Sequence, residues 1–270
     1  MNWSALDWSI LGPALVAGLL VLATHVPLGM QVLDRGIVFI DLAIAQIAGL
    51  GVIAADAFGL SEGGLAVQAS AVCAALLGAL LLTWTERRAA QQQEALIGVM
   101  FILAACGSIL LLAGNPHGGE HLKDLLVGQI LWVNTTQLAW LAAASALLLA
   151  LLWTGAVQRL GRFGFYGAFA LAVTASVQLV GVYLVFSSLI IPALATRAQR
   201  GPRRLVLAYA LGALGYALGL ALSALLDLPS GAVIVWTLAA CGIAVAMLVP
   251  VAAAPTSTRV QPSSGTPPVH

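Results

Sequence analysis

The feature that most constrains this chain is the placement of its few charged side chains. Long intervals carry none, and these are residues 8–33, 63–85, 95–119, 125–158, 163–196, 205–226 and 228–258. A further interval, 36–55, is interrupted only by Asp41. A helix needs about 20 apolar residues to cross the hydrocarbon core of a bilayer, so each interval is long enough to do so.

The composition argues against a soluble protein. Of the 270 residues, 61% are apolar and 8% are charged, whereas a soluble domain carries about 25% charged residues. The net charge of +1 offers no basic surface to a polyanion. The sequence therefore predicts an all-α fold, a polytopic transmembrane helical bundle with about eight or nine spans, rather than a soluble, disordered or nucleic-acid-binding protein.

The charge-free intervals also predict where the helices lie. We expect them at about 8–30, 36–57, 64–84, 95–113, 136–156, 205–226 and 231–251, with short or broken helices around 125–135 and 163–196. The interval 163–196 reaches about 51 Å as one helix, and two full crossings need about 60 Å. We favour two short helices that meet near Gly181 and face a water-filled cavity; a single tilted span is the alternative.

The arginines predict the orientation, because basic residues remain on the cytoplasmic side. They fall in alternate connections, at Arg35, Arg87–Arg88, Arg159 with Arg162, and the cluster 197–204. This pattern predicts an N-terminus outside and a C-terminus in the cytoplasm. We take residues 1–254 as the transmembrane domain and 255–270, rich in Pro, Ser and Thr, as a disordered cytoplasmic tail.

Polar residues inside the apolar intervals are candidates for a cation path. Asp41 is the one acid well inside a predicted span, and Gln46 follows it; Gln178, Ser187 and Ser188 lie in the interval predicted to break. An ionisable residue in a membrane helix usually faces the bundle interior or a water path. The alternative for Asp41 is a cytoplasmic position paired with Arg35. A lone histidine such as His25 is expected to be hydrogen-bonded packing or an interface residue.

The segment 115–124 is a candidate metal site on the predicted outer side. It holds His117, Glu120 and His121, and such side chains are suitable ligands for zinc or manganese. The histidines are four residues apart, but Gly118 and Gly119 between them disfavour the helix that would put them on one face. An ordinary solvated loop is the alternative.

Three stretches carry the most specific pattern in the chain. Residues 33–51 contain an arginine–glycine pair followed by Asp41, Gln46 and further glycines; residues 179–193 read LVGVYLVFSSLIIPA; and residues 226–232 read LDLPSGA. In order and spacing they resemble the membrane permease subunits of bacterial ABC importers for zinc, manganese and iron, over about residues 30–250. Many members of that family have a histidine where this chain has Gln46.

The resemblance implies a homodimer, or a similar pair, with a translocation path at the subunit interface and no permanently bound cofactor. It also implies two cytoplasmic ATP-binding subunits, an extracytoplasmic metal-binding protein and a transported divalent metal, for which His117 and His121 favour zinc over manganese or iron. The basic turn at 193–204 then corresponds to the element that couples to the ATPase, with the residues Ala193, Thr196, Arg197, Ala198, Arg200 and Arg203.

Two other functions remain as alternatives. A stand-alone secondary transporter or channel for a cation needs acids within the membrane, and only Asp41 qualifies. An intramembrane enzyme needs a nucleophile with a base, and Ser187 and Ser188 have no histidine near them in sequence. The sequence has no P-loop, so active transport requires that another chain hydrolyse ATP.

Overall fold

The computed structural model describes residues 7–57, 65–112 and 126–249, and within these ranges the chain is helical and forms no β-strand. Short 3₁₀ helices lie at Ala90–Gln92 and Ile130–Trp132. The α-helices are α1 (Trp8–Arg35), α2 (Ile40–Ala57), α3 (Leu65–Ala89), α4 (Gln93–Leu112), α5 (Thr135–Trp153), α6 (Ala156–Arg159), α7 (Gly161–Val180), α8 (Val182–Ala195), α9 (Gly201–Leu226) and α10 (Ser230–Leu248). The predicted all-α class is confirmed.

Seven helical stretches are long and apolar enough to cross a membrane. One of them, Leu65–Leu112, contains both α3 and α4. Both helices pack along α2, which is only about 27 Å long, so α3 and α4 fold back as a hairpin at Ala90–Gln92. The described ranges thus hold eight long apolar helices and the 14-residue α8, in agreement with the predicted eight or nine spans.

Two helix boundaries near residue 36 differ from the prediction. Helix α1 continues to Arg35 instead of ending near residue 30, and α2 begins at Ile40 instead of residue 36. Gly36 has a φ of 70° and ends α1 with a left-handed cap, a conformation that favours glycine. Helix α1 continues past Pro27 because Leu28, Gly29 and Val32 are buried.

The helices pack in two groups. In one, α2 contacts α3, α4 and α7; in the other, α8 and α9 each contact α1 and α10. Helix α5 lies against α1 and α7. The chain passes from one group to the other at Gly181, which separates α7 from α8, and the groups also touch where α1 meets α7 and α2 meets α8.

The contacts between helices show that charge is sorted to the two ends of the bundle. Arg162 pairs with Glu86, and Arg204 with Asp34, so the end of α1, the α3–α4 turn and the starts of α7 and α9 lie together. We call this the basic end; its members are Arg35, Arg87, Arg88, Arg159, Arg162, Arg197, Arg200, Arg203 and Arg204. The opposite, acidic end has Asp7, Asp56 and Asp227 and, among the described residues, no Lys or Arg.

Helix crossings in the second group depend on glycine. A Cβ on Gly29 of α1 would clash with the carbonyl oxygen of Leu189 in α8, and a Cβ on Gly18 would clash with the ring of Tyr216 in α9. Without a hydrophobic force between helices in lipid, close van der Waals packing over small residues drives their association. Helix α1 is therefore held against α8 and α9 at positions where a methyl group has no room.

Gly29→Ala is expected to destabilise the protein, because backbone rather than a flexible side chain occupies the space of the added methyl. Overpacking of this kind costs about 1–3 kcal/mol. The thermal unfolding midpoint of the purified protein in detergent should fall by several degrees.

Gly12→Ala is the matched control on the same helix, since no atom lies within 4 Å of its added Cβ. Its midpoint should stay at or slightly above that of the wild type, because alanine favours a helix more than glycine does. Equal midpoints for the two variants would contradict the close crossing of α1 and α8.

Candidate translocation site

Asp41 is a buried carboxylate without a partner. It is the second residue of α2 and is fully buried. Neither carboxylate oxygen has a hydrogen-bond partner in the structure. Within the described ranges the alternative pairing with Arg35 is not formed, because the Arg35 guanidinium lies over the Phe165 ring, 4.1 Å from its centroid. Burying an uncompensated charge is costly, which makes Asp41 the strongest candidate for a cation contact.

Gln46 lies deeper on the same helix and is also buried. Five residues at about 100° each place it roughly 140° around α2 from Asp41. The two side chains therefore do not form one polar stripe, although both lie inside the bundle. The role of Gln46 in a path stays a prediction.

Gln178 belongs to a polar cluster near the acidic end. Its Oε1 accepts a hydrogen bond of 2.7 Å from Nε2 of Gln68 in α3, while its own Nε2 is buried and unpaired. One turn earlier on α7, the buried Oγ1 of Thr174 is also unpaired. Such orphaned polar atoms indicate a place that water or a polar group occupies.

The predicted path residues lie at successive depths rather than in one cluster. Helices α3 and α7 run antiparallel, with Glu86 beside Arg162 at one end and Gln68 beside Gln178 at the other. Asp41 lies near the first of these ends, because the backbone N–H of Phe39 donates to Glu94 at the start of α4. About 20 Å of helix thus separates the levels of Asp41 and Gln178.

The two serines of α8 have different surroundings. Ser187 donates to the carbonyl oxygen of Tyr183 and lines a cleft of about 260 Å³ between α8 and α10. The other residues of the cleft are Tyr183, Phe186, Ala232, Val235 and Trp236. Ser188 is fully buried, bonds to Leu184 and lies 2.8 Å from the Tyr216 hydroxyl, so it links α8 to α9, whereas Ser187 faces the cleft.

The predicted break between α7 and α8 is present at Gly181. This residue has φ 80° and ψ 159°, a region that only glycine adopts readily. The connection ahead of Ile130–Trp132 packs against this break. Gln129 donates its backbone N–H to the Leu179 carbonyl. A Cβ on either Gly128 or Gly181 would clash with the other segment. Two helices that meet at Gly181, and not one tilted span, therefore occupy this interval, but only α8 is short: α7 has 20 residues and α8 has 14.

The expected packing role of His25 is confirmed. The ring is fully buried, with Nδ1 2.9 Å from the Val21 carbonyl oxygen and Nε2 3.3 Å from the Ser176 hydroxyl.

Sequence reasoning missed a second polar network at the basic end, where buried Gln93 bonds to Thr85 and Tyr166 and so ties α4 to α3 and α7. The Gln91–Gln93 run between two apolar intervals was its only signal.

The basic turn between α8 and α9 divides the predicted coupling residues into two sets. Ala193 and Thr196 are buried, and the Thr196 hydroxyl bonds to the Pro192 carbonyl. Arg197, Ala198, Arg200 and Arg203 are exposed. No separate helix lies between α8 and α9, all of whose connecting residues are described: α8 itself ends at Ala195 and a hydrogen-bonded turn follows.

The predicted metal ligands His117, Glu120 and His121, and the predicted tail 255–270, lie outside the described residues. In the described part of the chain, no group of three or more His, Cys, Asp or Glu side chains could hold a metal ion.

Comparison with known proteins gives a consistent result. The sequence model of the ABC 3 transport family matches residues 7–160 and 153–249. An uncharacterized membrane protein of Synechocystis sp. is 30% identical over 254 residues, 86% of this chain and 88% of that protein. The manganese transport system membrane protein MntC of Halalkalibacterium halodurans is 26% identical over 251 residues, 85% and 84% of the two chains.

Two solved structures have a similar fold. PsaBC from Streptococcus pneumoniae in complex with Fab has a TM-score of 0.73 at 21% identity, covering 88% of this chain and 91% of that one. An inward-facing conformation of an ABC transporter assigned to the metal-chelate type has a TM-score of 0.65 at 16% identity, covering 90% and 89%.

Gly181→Ala is expected to disrupt the junction of α7 and α8. An alanine in this backbone region is strained by about 1–3 kcal/mol, and its Cβ would also clash with the backbone at Val127 and Gly128. The thermal midpoint in detergent should fall, and transport activity should fall at least tenfold.

Gly167→Ala on the same helix is the control, because its added Cβ meets nothing within 4 Å. It should keep the wild-type midpoint and activity. A Gly181→Ala protein that matched this control would show that the break does not need glycine.

Proposed function

The chain belongs to the ABC 3 transport family, and we propose that it is the permease of an importer that moves a divalent metal ion across the bacterial inner membrane. The two matches of the family model together cover residues 7–249. The chain is thus a multi-pass membrane subunit of an ABC transporter, in which ATP is hydrolysed by a separate subunit.

We propose manganese as the cargo. The relative from Halalkalibacterium halodurans is a manganese transport protein. The expectation that the cargo is zinc depends on His117 and His121, which lie outside the described residues. Zinc remains the competing cargo that the transport assay must include.

The burial of the Asp41 carboxylate without a hydrogen-bond partner is the observation that carries the proposal. A carboxylate that is fully buried and unpaired in the described structure is stabilised when a cation passes beside it. A single carboxylate contact of this kind holds a passing cation weakly. Weak binding suits conduction, since the ion must also leave.

The sorting of charge supports a direction of transport. The acidic end, with Asp7, Asp56 and Asp227, attracts cations, and the basic end fits the cytoplasmic side. We therefore propose that the N-terminus lies outside and the C-terminus in the cytoplasm. A cation then enters at the acidic end, passes the level of Gln68 and Gln178, and reaches Asp41 last.

The remaining parts of the transporter are proposed from family membership. An extracytoplasmic metal-binding protein delivers the ion, two cytoplasmic ATP-binding subunits drive the cycle, and a second permease copy completes the path. We place the second copy against the exposed α8–α10 cleft that contains Ser187. Relative movement of the two helix groups about Gly181 is the step that alternates access.

Asp41→Asn should lower manganese uptake at least tenfold, because the amide keeps the shape of the side chain but removes its charge. The measurement is uptake of radioactive manganese and zinc by cells that express the chain with its ATPase and binding protein. Wild-type uptake should require all three proteins.

Asp34→Asn is the control, since it removes an exposed carboxylate at the basic end, outside the proposed path, and it should transport normally. Normal uptake by Asp41→Asn would remove Asp41 from the path. Zinc uptake without manganese uptake would correct the cargo, and uptake by the chain alone would favour a secondary transporter.

The double substitution Ala198→Glu and Arg200→Glu should prevent copurification of the ATPase. Both positions are exposed on the turn, and the change reverses the charge there without touching the buried bond of Thr196. We expect at least a tenfold loss of recovered ATPase with normal membrane insertion. Arg159→Gln, exposed at the same end, should retain the ATPase; equal recovery from both variants would exclude the turn as the coupling element.

A further inference from the structure

One face of α3 is exposed and apolar, and it leads to an arginine near the end of the helix. Leu77, Leu80, Leu81 and Trp84 are all exposed, and their spacing places them on one side of the helix. Arg88 follows Trp84 by four residues and continues the same row. The row therefore passes from large apolar side chains to a cation within three turns of helix.

Arg88 is held against Trp84. Its guanidinium carbon lies 4.9 Å from the centre of the indole ring, within the range of a cation–π contact. Tryptophan is enriched where the hydrocarbon meets the headgroups, and Arg88 lies about 6 Å further along the helix axis. This geometry puts Arg88 at the level of the lipid phosphates. Arg87 beside it is also exposed.

The acids nearest in sequence are engaged elsewhere. Glu86 pairs with Arg162 at 3.2 Å, and Oε1 of Glu94 accepts the backbone N–H of Phe39. Within the described ranges, no carboxylate lies within 4.0 Å of the nitrogen atoms of Arg87 or Arg88. Two positive charges thus lie at the edge of an apolar face with no carboxylate partner among the residues that the structure describes.

We propose that Trp84, Arg87 and Arg88 form a binding site for an anionic phospholipid. The two guanidinium groups bind the phosphate, which arginine recognises through charge-assisted hydrogen bonds. The acyl chains lie along Leu77, Leu80 and Leu81. Trp84 orients Arg88 and covers the glycerol region of the lipid.

Other occupants fit this face less well. A soluble subunit at the basic end cannot reach the leucines, which lie one to three turns deeper in the membrane. The second permease copy is proposed to lie at the α8–α10 cleft, whereas α3 packs with α2, α4 and α7. A phospholipid offers both the apolar chains and the negative charge that the face requires.

The test is native mass spectrometry of the purified permease–ATPase complex, titrated with phosphatidylglycerol or with phosphatidylcholine of the same acyl chains. We expect the wild type to bind phosphatidylglycerol with a preference of roughly five- to thirtyfold, as one or two arginines near an anionic headgroup would give. Arg87→Gln with Arg88→Gln should abolish the preference while the ATPase is retained. Trp84→Leu keeps both charges and should reduce the preference two- to threefold.

The matched control is Trp153→Leu with Arg159→Gln. It also removes an exposed tryptophan and an exposed arginine near the basic end, but these two lie outside the α3 face, and it should keep the wild-type preference. Equal binding of the two lipids by the wild type would overturn the proposal. An unchanged preference in the double-glutamine variant would also overturn it, whether or not that variant retains the ATPase. None of these results depends on which ion is transported.

Discussion

The contact between the backbones at Gly128 and Gly181 is the constraint on which the rest of the architecture depends. In a membrane, a broken helix leaves backbone groups that must be satisfied by protein or by water in a cavity. Here the Gln129 N–H bonds to the Leu179 carbonyl, and two glycines allow the chains to approach closely enough for that bond. The break then lets α7 pack with α2 and α3 while α8 packs with α1 and α9.

This division explains how one permease can combine rigid and movable parts. Buried hydrogen bonds fix helices within each group: Ser188 with Tyr216 between α8 and α9, and Gln93 with Tyr166 between α4 and α7. Between the groups, the connection at Gly181 is a single residue. The groups also touch where α1 meets α7 and α2 meets α8, and the His25–Ser176 hydrogen bond joins them, so a movement about Gly181 has to rearrange these contacts.

Much of the fold could be predicted from the sequence, because a bilayer permits few solutions for an apolar interval of known length. The break near Gly181 followed from 34 residues being too few for two full crossings. The candidate site was harder to predict from the sequence. His25 and Asp41 are both isolated ionisable residues in apolar intervals, yet His25 has hydrogen-bond partners on α1 and α7 and Asp41 has none. That difference arises from neighbouring helices that are distant in sequence. The sequence groups Asp41 and Gln46 as candidates for one cation path, but helix geometry places them roughly 140° apart around α2.

The depth of Asp41 has an electrical consequence. In the proposed orientation, an ion that reaches Asp41 from the acidic end has crossed most of the hydrocarbon, because the residue lies within a turn of the basic end. The membrane voltage, negative inside, acts along that route and contributes about 2.3 kcal/mol per charge for each 100 mV. For a divalent ion this amounts to about 4–5 kcal/mol per 100 mV. On the proposed path, an ion would therefore have gained most of this electrical free energy before it reached the Asp41 carboxylate.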